Sequence, residues 1–228
     1  AYEEAMKYTG PEKTVLTGNP VRYHQIREDR ETLLKKLRLD PSLRVILIFG
    51  GSQGAASINN AVRTLLKTKS VPEGCQLLWQ TGTREFDEIR DFIEKEEIRH
   101  TVVRSFIDPM AEAYHAAEFA VCRAGAMTLS ELMIYGVPGI LIPLPHAAAD
   151  HQYKNARAVA DKGGAAVVRD DQNLPTELGK KWREFASGEK NLNAMKETLK
   201  KLSRKDATGH ILELVENILK SRQRWPLN

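Results

Sequence analysis

The sequence predicts an α/β protein with a doubly wound, Rossmann-like parallel sheet, and two patterns support this fold class. Short apolar segments alternate with longer amphipathic ones, and the apolar segments are rich in Val, Ile and Leu with little polar alternation. Such segments are typical of parallel strands that helices cover on both faces. The regular order of strand and helix predicts right-handed βαβ units within one domain.

Seven segments are predicted to be strands. They are TVLT (14–17), RVILIFG (44–50), QLLWQT (76–81), TVV (101–103), EFAVC (118–122), GILIP (139–143) and AAVV (165–168). Between two of them, a helix is predicted from Gly125 to Gly136, because Pro138 follows as a stop signal. After Leu174 only helical patterns remain.

Apolar residues at helical spacing indicate which helix faces are buried. One face of the helix after the first glycine-rich turn is formed by Ile58, Val62, Leu65 and Leu66. The last helix has an apolar stripe of Ile211, Leu214, Val215, Ile218 and Leu219. Both helices are therefore expected to pack against another surface.

Composition places the chain among soluble globular proteins. Its 228 residues are 42% hydrophobic and 28% charged, and no apolar run approaches the ~20 residues of a membrane-spanning helix. The first ten residues, AYEEAMKYTG, do not resemble a signal peptide. The two cysteines, Cys75 and Cys122, form neither a disulfide framework nor a metal-binding pair, so we expect both to be buried in a protein of the reducing cytoplasm.

The net charge is small, but the C-terminal segment is basic. The whole chain has 34 Lys and Arg against 30 Asp and Glu, a formal charge of +4. From residue 195 onward, basic residues outnumber acidic ones by eight to four. Such a segment can attract an anionic membrane or nucleic acid. We expect the commoner arrangement, a solvated helix face.

The first candidate site is a glycine-rich turn after the second predicted strand. Parallel α/β sheets bind ligands at the carboxyl ends of their strands, and Gly50-Gly51-Ser52-Gln53-Gly54 lies at such an end, before a helix. A helix N-terminus there could hold a phosphate. The turn matches neither G-x-G-x-x-G nor the P-loop pattern. Taken alone, it is equally consistent with a turn that binds nothing.

A second glycine-rich turn follows strand 118–122 in the segment CRAGAMTLSE (122–131). Gly125 and Ala126 lie where another helix should begin, which indicates a second anion-binding end. Glu131 falls about one and a half turns into that helix. Its carboxylate could stabilise the helix or accept hydrogen bonds from both hydroxyls of a ribose.

A third polar loop, PLPHAAADHQYKNA (143–156), also follows a strand and opens a helix. Asp150 could cap that helix, or the Asp, His, Gln and Asn side chains could bind sugar hydroxyls. His146 and His151 lack a third ligand at metal-binding spacing. The chain has no apparent Ser–His–Asp arrangement and no Asp-x-Asp pair to hold a metal against a diphosphate.

Five motifs in one order indicate a family. They are TGNPVR (17–22), GGSQGA (50–55), FIDPM (106–110), CRAGAMTLSE (122–131) and PLPHAAADHQYKNA (143–156). Together they resemble the C-terminal half of the MurG family, bacterial transferases that add GlcNAc from UDP-GlcNAc to lipid I and so form lipid II. The resemblance covers residues 1 to about 222 and implies the C-terminal domain of a GT-B glycosyltransferase.

The resemblance implies a UDP-GlcNAc site residue by residue. Ile107 would present its backbone N–H and C=O to the uracil, Glu131 would bind the ribose hydroxyls, and Arg22 would lie beside the nucleotide. The residues around the diphosphate would be Gly51, Ser52, Gln53, Gly125, Ala126, Met127 and Thr128. Those near the GlcNAc would be His151, Gln152 and Asn155.

The resemblance also implies domain boundaries. Residues 1–12 would be the remnant of an interdomain connection, 13–222 a single UDP-GlcNAc-binding domain and 223–228 a tail. The family's N-terminal glycine motif is absent from the sequence, so we expect the acceptor domain and its general base to be absent. Residues 1–228 would then bind donor without transferring sugar. The last helix, with Trp225, could alternatively contact that missing domain.

The implied reaction is an inverting displacement in peptidoglycan synthesis, and thus in cell-wall biogenesis, cell shape and division. The implied partners are the UDP-GlcNAc donor, the lipid I acceptor and the cytoplasmic face of the bacterial plasma membrane, approached peripherally, with no nucleic acid. No cofactor is expected, because helix N-termini and hydroxyl groups can neutralise the diphosphate without an Asp-x-Asp metal site.

Three other functions remain open from the sequence. One is the donor-binding subunit of a two-chain UDP-GlcNAc transferase, and another is a UDP-GlcNAc 2-epimerase, whose acid and base residues we cannot place. An NAD-dependent oxidoreductase is disfavoured, because no acidic residue ends a second strand about 20 residues after the glycines.

Overall fold

The computed structural model describes residues 14–145, 147, 150–188 and 191–222. In chain order its elements are α1 (Arg30–Lys36), β1 (Arg44–Phe49), α2 (Ala56–Lys67), β2 (Cys75–Gln80), α3 (Phe86–Lys95), β3 (Thr101–Arg104), α4 (Met110–Ala116), β4 (Ala117–Cys122), α5 (Ala126–Tyr135), β5 (Gly139–Leu141), α6 (His151–Ala160), β6 (Ala165–Val167), α7 (Leu174–Ala186), α8 (Leu192–Leu202) and α9 (Ala207–Arg222). The proposed remnant 1–12, the tail 223–228 with Trp225, and His146 lie outside the described residues.

The six strands form one parallel sheet in the order β3-β2-β1-β4-β5-β6. This order confirms the predicted doubly wound, Rossmann-like sheet. Strand β1 shows why its sequence lacks polar alternation. Ile46 and Ile48 lie in one hydrophobic core, whereas Val45 and Leu47 lie in a second core on the opposite face. Both faces of the central strand are therefore covered.

Helices cover each face with the apolar residues that their spacing indicates. The first core includes residues of α2, α3 and α7, and the second includes residues of α1, α4, α5 and α6. All four predicted face residues of α2 are buried, which confirms that helix. Helix α5 begins after Gly125 and ends before Gly136, as predicted.

The predicted strand 14–17 is wrong. These residues form no regular secondary structure, and Val15 is 63% exposed. Among the described residues, no strand of the sheet pairs with this segment. Instead it lies near the start of α9, where an added Cβ on Gly18 would meet Arg204 and Ala207. The ends of the other predicted strands differ from the observed ones by one or two residues.

Two expectations are confirmed for the described residues, the burial of both cysteines and the exposure of the basic segment, whereas the expected packing of the apolar stripe of α9 is not. Cys75 and Cys122 are free and buried, and burial raises the pKa of both thiols. Most basic side chains of α8 and of its connection to α9 are exposed. The apolar stripe of α9 is also largely exposed: Val215, Ile218 and Leu219 each expose about half of their surface. Within the described residues, no helix has both the length and the hydrophobicity needed to span a bilayer.

Candidate functional site

The two glycine-rich turns leave the sheet side by side. Phe49, the last residue of β1, is paired with Cys122, the last residue of β4. From this pair the chain turns toward β2 on one side and toward β5 on the other. Such a reversal opens a ligand-binding crevice at the carboxyl ends of the strands. The turns that the sequence indicates separately therefore face one crevice.

Three helices that begin at this edge have no side-chain hydrogen bond that caps their N-termini, although Asp150 precedes α6 and the Asp170 carboxylate accepts from Ser57 in the first turn of α2. Helices α2, α5 and α6 have no side-chain cap and no acidic residue in the first turn. By contrast, α1 and α8 have side-chain caps, and α3, α4 and α7 have an acidic residue in the first turn. The positive dipole ends at the crevice favour an anionic ligand.

The first turn is packed closely on the end of β2 while its tip stays exposed. A Cβ built on Gly54 would lie 2.0 Å from the Thr81 carbonyl oxygen, so only glycine permits this approach. Asn59 donates from Nδ2 to the same oxygen at 3.0 Å. Gly51, Ser52 and Gln53 are exposed at the tip. The predicted diphosphate residues therefore lie on a well-supported turn and are accessible.

The second turn places its predicted residues at the N-terminus of α5. Gly125 precedes the helix, and Ala126, Met127 and Thr128 form its first turn. Met127 is exposed, while the other three are partly buried. The TGNPVR segment supports this end, because Asn19 donates from Nδ2 to the Ala126 carbonyl oxygen at 3.2 Å and to Ser130 Oγ at 2.8 Å.

Glu131 is held by a buried tyrosine on α4. Tyr114 donates its hydroxyl to Glu131 Oε2 at 2.9 Å, and the Tyr114 ring stacks on Tyr135 with centroids 5.1 Å apart. Burial raises the pKa of Glu131, and the Tyr114 hydrogen bond partly opposes that rise. One carboxylate oxygen is thus fixed and the side chain remains partly exposed. This is suitable for binding a diol.

Ile107 lies in the loop between β3 and α4, as a buried residue next to the exposed Phe106. Its backbone N–H donates to Gln80 Oε1 at 2.8 Å. In the structure the Ile107 N–H is therefore occupied by Gln80 and does not face a ligand as expected. The role of the Ile107 C=O toward uracil stays a prediction, and Gln80 is a neighbour that we did not predict. The sequence signal that could have indicated Gln80 is its polar side chain directly after the apolar residues 77–79 of a buried strand.

Arg123, within the CRAGA motif, lies in a buried ionic network. It forms a 2.7 Å ion pair with Asp170, in which the two side chains are only 13% and 10% exposed. Arg123 also donates to Ser57 Oγ of α2 and to the carbonyl oxygens of Ile142 and Pro143. Ser57 in turn donates to Asp170 Oδ2 at 2.7 Å. The network ties together the loops that follow β1, β4, β5 and β6.

The third loop agrees less closely with the expectations. Asp150 precedes α6 but makes no capping hydrogen bond, and its φ of 56° is left-handed, so its predicted capping role is wrong. Gln152 Oε1 accepts from the Leu144 N–H at 3.0 Å and thus braces the loop. His151 is exposed and Asn155 is partly buried. Arg22 is exposed in the segment before α1. The roles of the last three residues stay predictions.

Comparison with known proteins identifies the family. The model of the glycosyltransferase family 28 C-terminal domain matches residues 45–211, a range that includes all six strands and both glycine-rich turns. The chain belongs to this family.

The relatives point in the same direction. A UDP-N-acetylglucosamine–N-acetylmuramyl-(pentapeptide) pyrophosphoryl-undecaprenol N-acetylglucosamine transferase from Acetivibrio thermocellus is 36% identical over 223 residues, which is 97% of this chain and 60% of that protein. The crystal structure of Acinetobacter baumannii MurG matches with a TM-score of 0.69 and 28% identity, over 81% of this chain and 53% of that one. The chain thus spans about 60% of the length of this relative and of a second one, from Desulforamulus reducens. The resemblance to MurG is confirmed.

A more distant likeness shows the fold alone. The UDP-GlcNAc 2-epimerase of Neisseria meningitidis matches with a TM-score of 0.58 and 12% identity, over 82% of this chain and 48% of that one. The parallel sheet is therefore shared with enzymes of other chemistry, and function must be argued from the site.

Proposed function

We propose that this chain is the donor-binding part of an inverting glycosyltransferase and binds UDP-GlcNAc for transfer of GlcNAc to lipid I. The observation that carries the proposal is the pair of uncapped, glycine-opened helix N-termini beside the β1–β4 crevice, in a chain of the glycosyltransferase family 28 C-terminal domain. A diphosphate has the charge that two such ends bind best. The relatives' names supply the sugar and the acceptor.

The described residues suit different parts of the donor. The diphosphate would lie between the turn at Ser52 and the N-terminus of α5, and the ribose hydroxyls would donate to Glu131. The uracil would lie at the Ile107 loop, next to Phe106. The contacts of the structure support neighbouring positions for uracil and ribose, because Tyr114, on the helix that follows the Ile107 loop, donates a hydrogen bond to Glu131. His151, Gln152 and Asn155 would face the sugar.

The reaction breaks the bond between the anomeric carbon of GlcNAc and the diphosphate while an acceptor hydroxyl attacks from the opposite side. Negative charge then grows on the departing UDP. The two helix N-termini and the hydroxyls of Ser52 and Thr128 would stabilise that charge more strongly in the transition state than in the bound donor. In this proposal no resident metal ion is needed for that stabilisation.

The finer setting is proposed from the relatives. UDP-GlcNAc is the donor and lipid I the acceptor, and the whole enzyme would act peripherally at the cytoplasmic membrane face. It would thereby support wall growth, cell shape and division. The proposal includes no nucleic-acid partner.

Calorimetric titration of the chain with UDP-GlcNAc, UDP and NAD tests the proposal. We expect saturable binding of UDP-GlcNAc and UDP and no binding of NAD. Binding should weaken as salt rises, because much of the attraction is between a diphosphate and partial positive charges. Binding of NAD without binding of UDP would contradict the proposal and favour an oxidoreductase.

A further inference from the structure

Gln80 connects the two loops to which the diphosphate and the base are assigned. Its Nε2 donates to the Gly51 carbonyl oxygen at 3.1 Å, and its Oε1 accepts from the Ile107 N–H at 2.8 Å. Gln80 is the last residue of β2 and is 3% exposed. One buried carboxamide therefore joins the turn after β1 to the loop after β3.

These two hydrogen bonds fix the direction of two peptide groups. In a trans peptide, the C=O and the N–H point to opposite sides. The inward Gly51 carbonyl, which also accepts from the Gly54 N–H at 3.1 Å, therefore directs the Ser52 N–H away from Gln80. In the same way, the inward Ile107 N–H directs the Phe106 carbonyl away from Gln80. Gln80 thus determines which backbone donor and which backbone acceptor the two loops present.

We infer that Gln80 is a positioning residue for the nucleotide, which sets the separation and orientation of the diphosphate turn and the base loop. This inference rests on the proposed function. A ligand that contacts both loops at once depends on their relative placement, whereas a ligand that contacts one loop does not. Removal of the Gln80 hydrogen bonds should therefore weaken the binding of UDP more than the binding of uridine or of inorganic pyrophosphate.

The same strand offers a matched control, Gln76. This residue is 2% exposed and lies four positions earlier on the same face of β2, so it is about 13 Å away at the opposite edge of the sheet. Its carboxamide also joins backbone groups: Nε2 donates to the carbonyl oxygens of Asp40 at 2.6 Å and Leu43 at 3.3 Å, and Oε1 accepts from the Asp40 N–H at 2.9 Å. Equivalent substitutions at Gln76 and Gln80 should destabilise the fold to a similar extent.

The experiment compares Gln80→Glu and Gln76→Glu in UDP titrations. In Gln80→Glu the carboxylate can still accept from Ile107 but cannot donate to Gly51. We expect about a tenfold loss of UDP affinity, the effect of one lost hydrogen bond at a buried site, with less than a twofold change in Gln76→Glu. Protonation restores a donor, so lowering the pH should return the affinity of Gln80→Glu toward that of the wild type at each pH.

A second pair, Gln80→Met and Gln76→Met, covers the case in which a buried carboxylate prevents folding. Gln80→Met loses both hydrogen bonds and should bind UDP at least tenfold more weakly, with uridine and pyrophosphate changed less than twofold. If the wild type binds UDP and the Gln80 variants match their Gln76 controls, the inference is wrong and the proposed function stands. If the wild type does not bind UDP, the proposed function fails.

Discussion

Replacement of Gly54 by alanine tests how the first turn is supported. Gly54 has a φ of 78°, and a Cβ at this position would lie 2.0 Å from the Thr81 carbonyl oxygen. The left-handed backbone costs an alanine about 1–2 kcal/mol. Relief of the contact requires the two turns to separate by about 1 Å, which also weakens the buried Asn59–Thr81 hydrogen bond, worth about 1–3 kcal/mol. We expect the free energy of unfolding to fall by about 2–5 kcal/mol.

Gly51→Ala is the matched control in the same turn. Gly51 also has a positive φ, 92°, but no atom would lie within 4 Å of its added Cβ. Only the backbone cost applies, so a loss of about 1–2 kcal/mol is expected. Urea unfolding, followed by far-ultraviolet circular dichroism, measures both variants. If Gly54→Ala is no less stable than Gly51→Ala, then the close packing of the turn on β2 does not support it.

Three other predictions concern buried charges and the ribose site. Asp170→Asn leaves the Arg123 charge without its carboxylate and should lower the free energy of unfolding, measured in urea, by about 3 kcal/mol. The control Glu177→Gln, in an exposed ion pair, should lower it by less than about 1 kcal/mol. Equal losses in the two variants would contradict a structural role for the buried pair. Glu131→Gln should weaken UDP about tenfold in calorimetry and leave pyrophosphate unchanged, and an unchanged UDP affinity would exclude Glu131 from the ribose site. Tyr114→Phe removes the hydrogen bond that lowers the pKa of Glu131, so that pKa should rise further. Because the ribose needs the carboxylate form, UDP affinity is lost as the pH falls, and in Tyr114→Phe that loss should occur at a higher pH than in the wild type; superimposable pH profiles would refute the coupling.

Most of the sheet could be predicted because its strands are buried on both faces. The segment 45–49 is continuously apolar, and it forms most of β1 at the centre of the sheet. Helix α5 was predictable from local signals alone, namely Gly125 before it and Gly136 after it. The segment 14–17 has the composition of a strand, but among the described residues no strand of the sheet pairs with it. Strand formation depends on a partner that composition does not reveal.

The glycine-rich turns at the carboxyl edge of the sheet were predictable, but the contacts that support them were not. Glycine-rich turns after strands are local patterns, and the fold rule then brings them to one edge. The contacts of Gln80 with Ile107 and of Arg123 with Asp170 join residues 27 and 47 positions apart. No local pattern encodes such pairs, because they depend on which loops become neighbours in the sheet.

A crystal structure of the chain with UDP-GlcNAc bound tests the central claim most directly. We predict that the diphosphate lies between the N-termini of α2 and α5, that the ribose hydroxyls contact Glu131 and that the uracil lies at the Ile107 loop. A nucleotide bound elsewhere, with the uracil away from both Ile107 and Glu131, would contradict the assignment of the site.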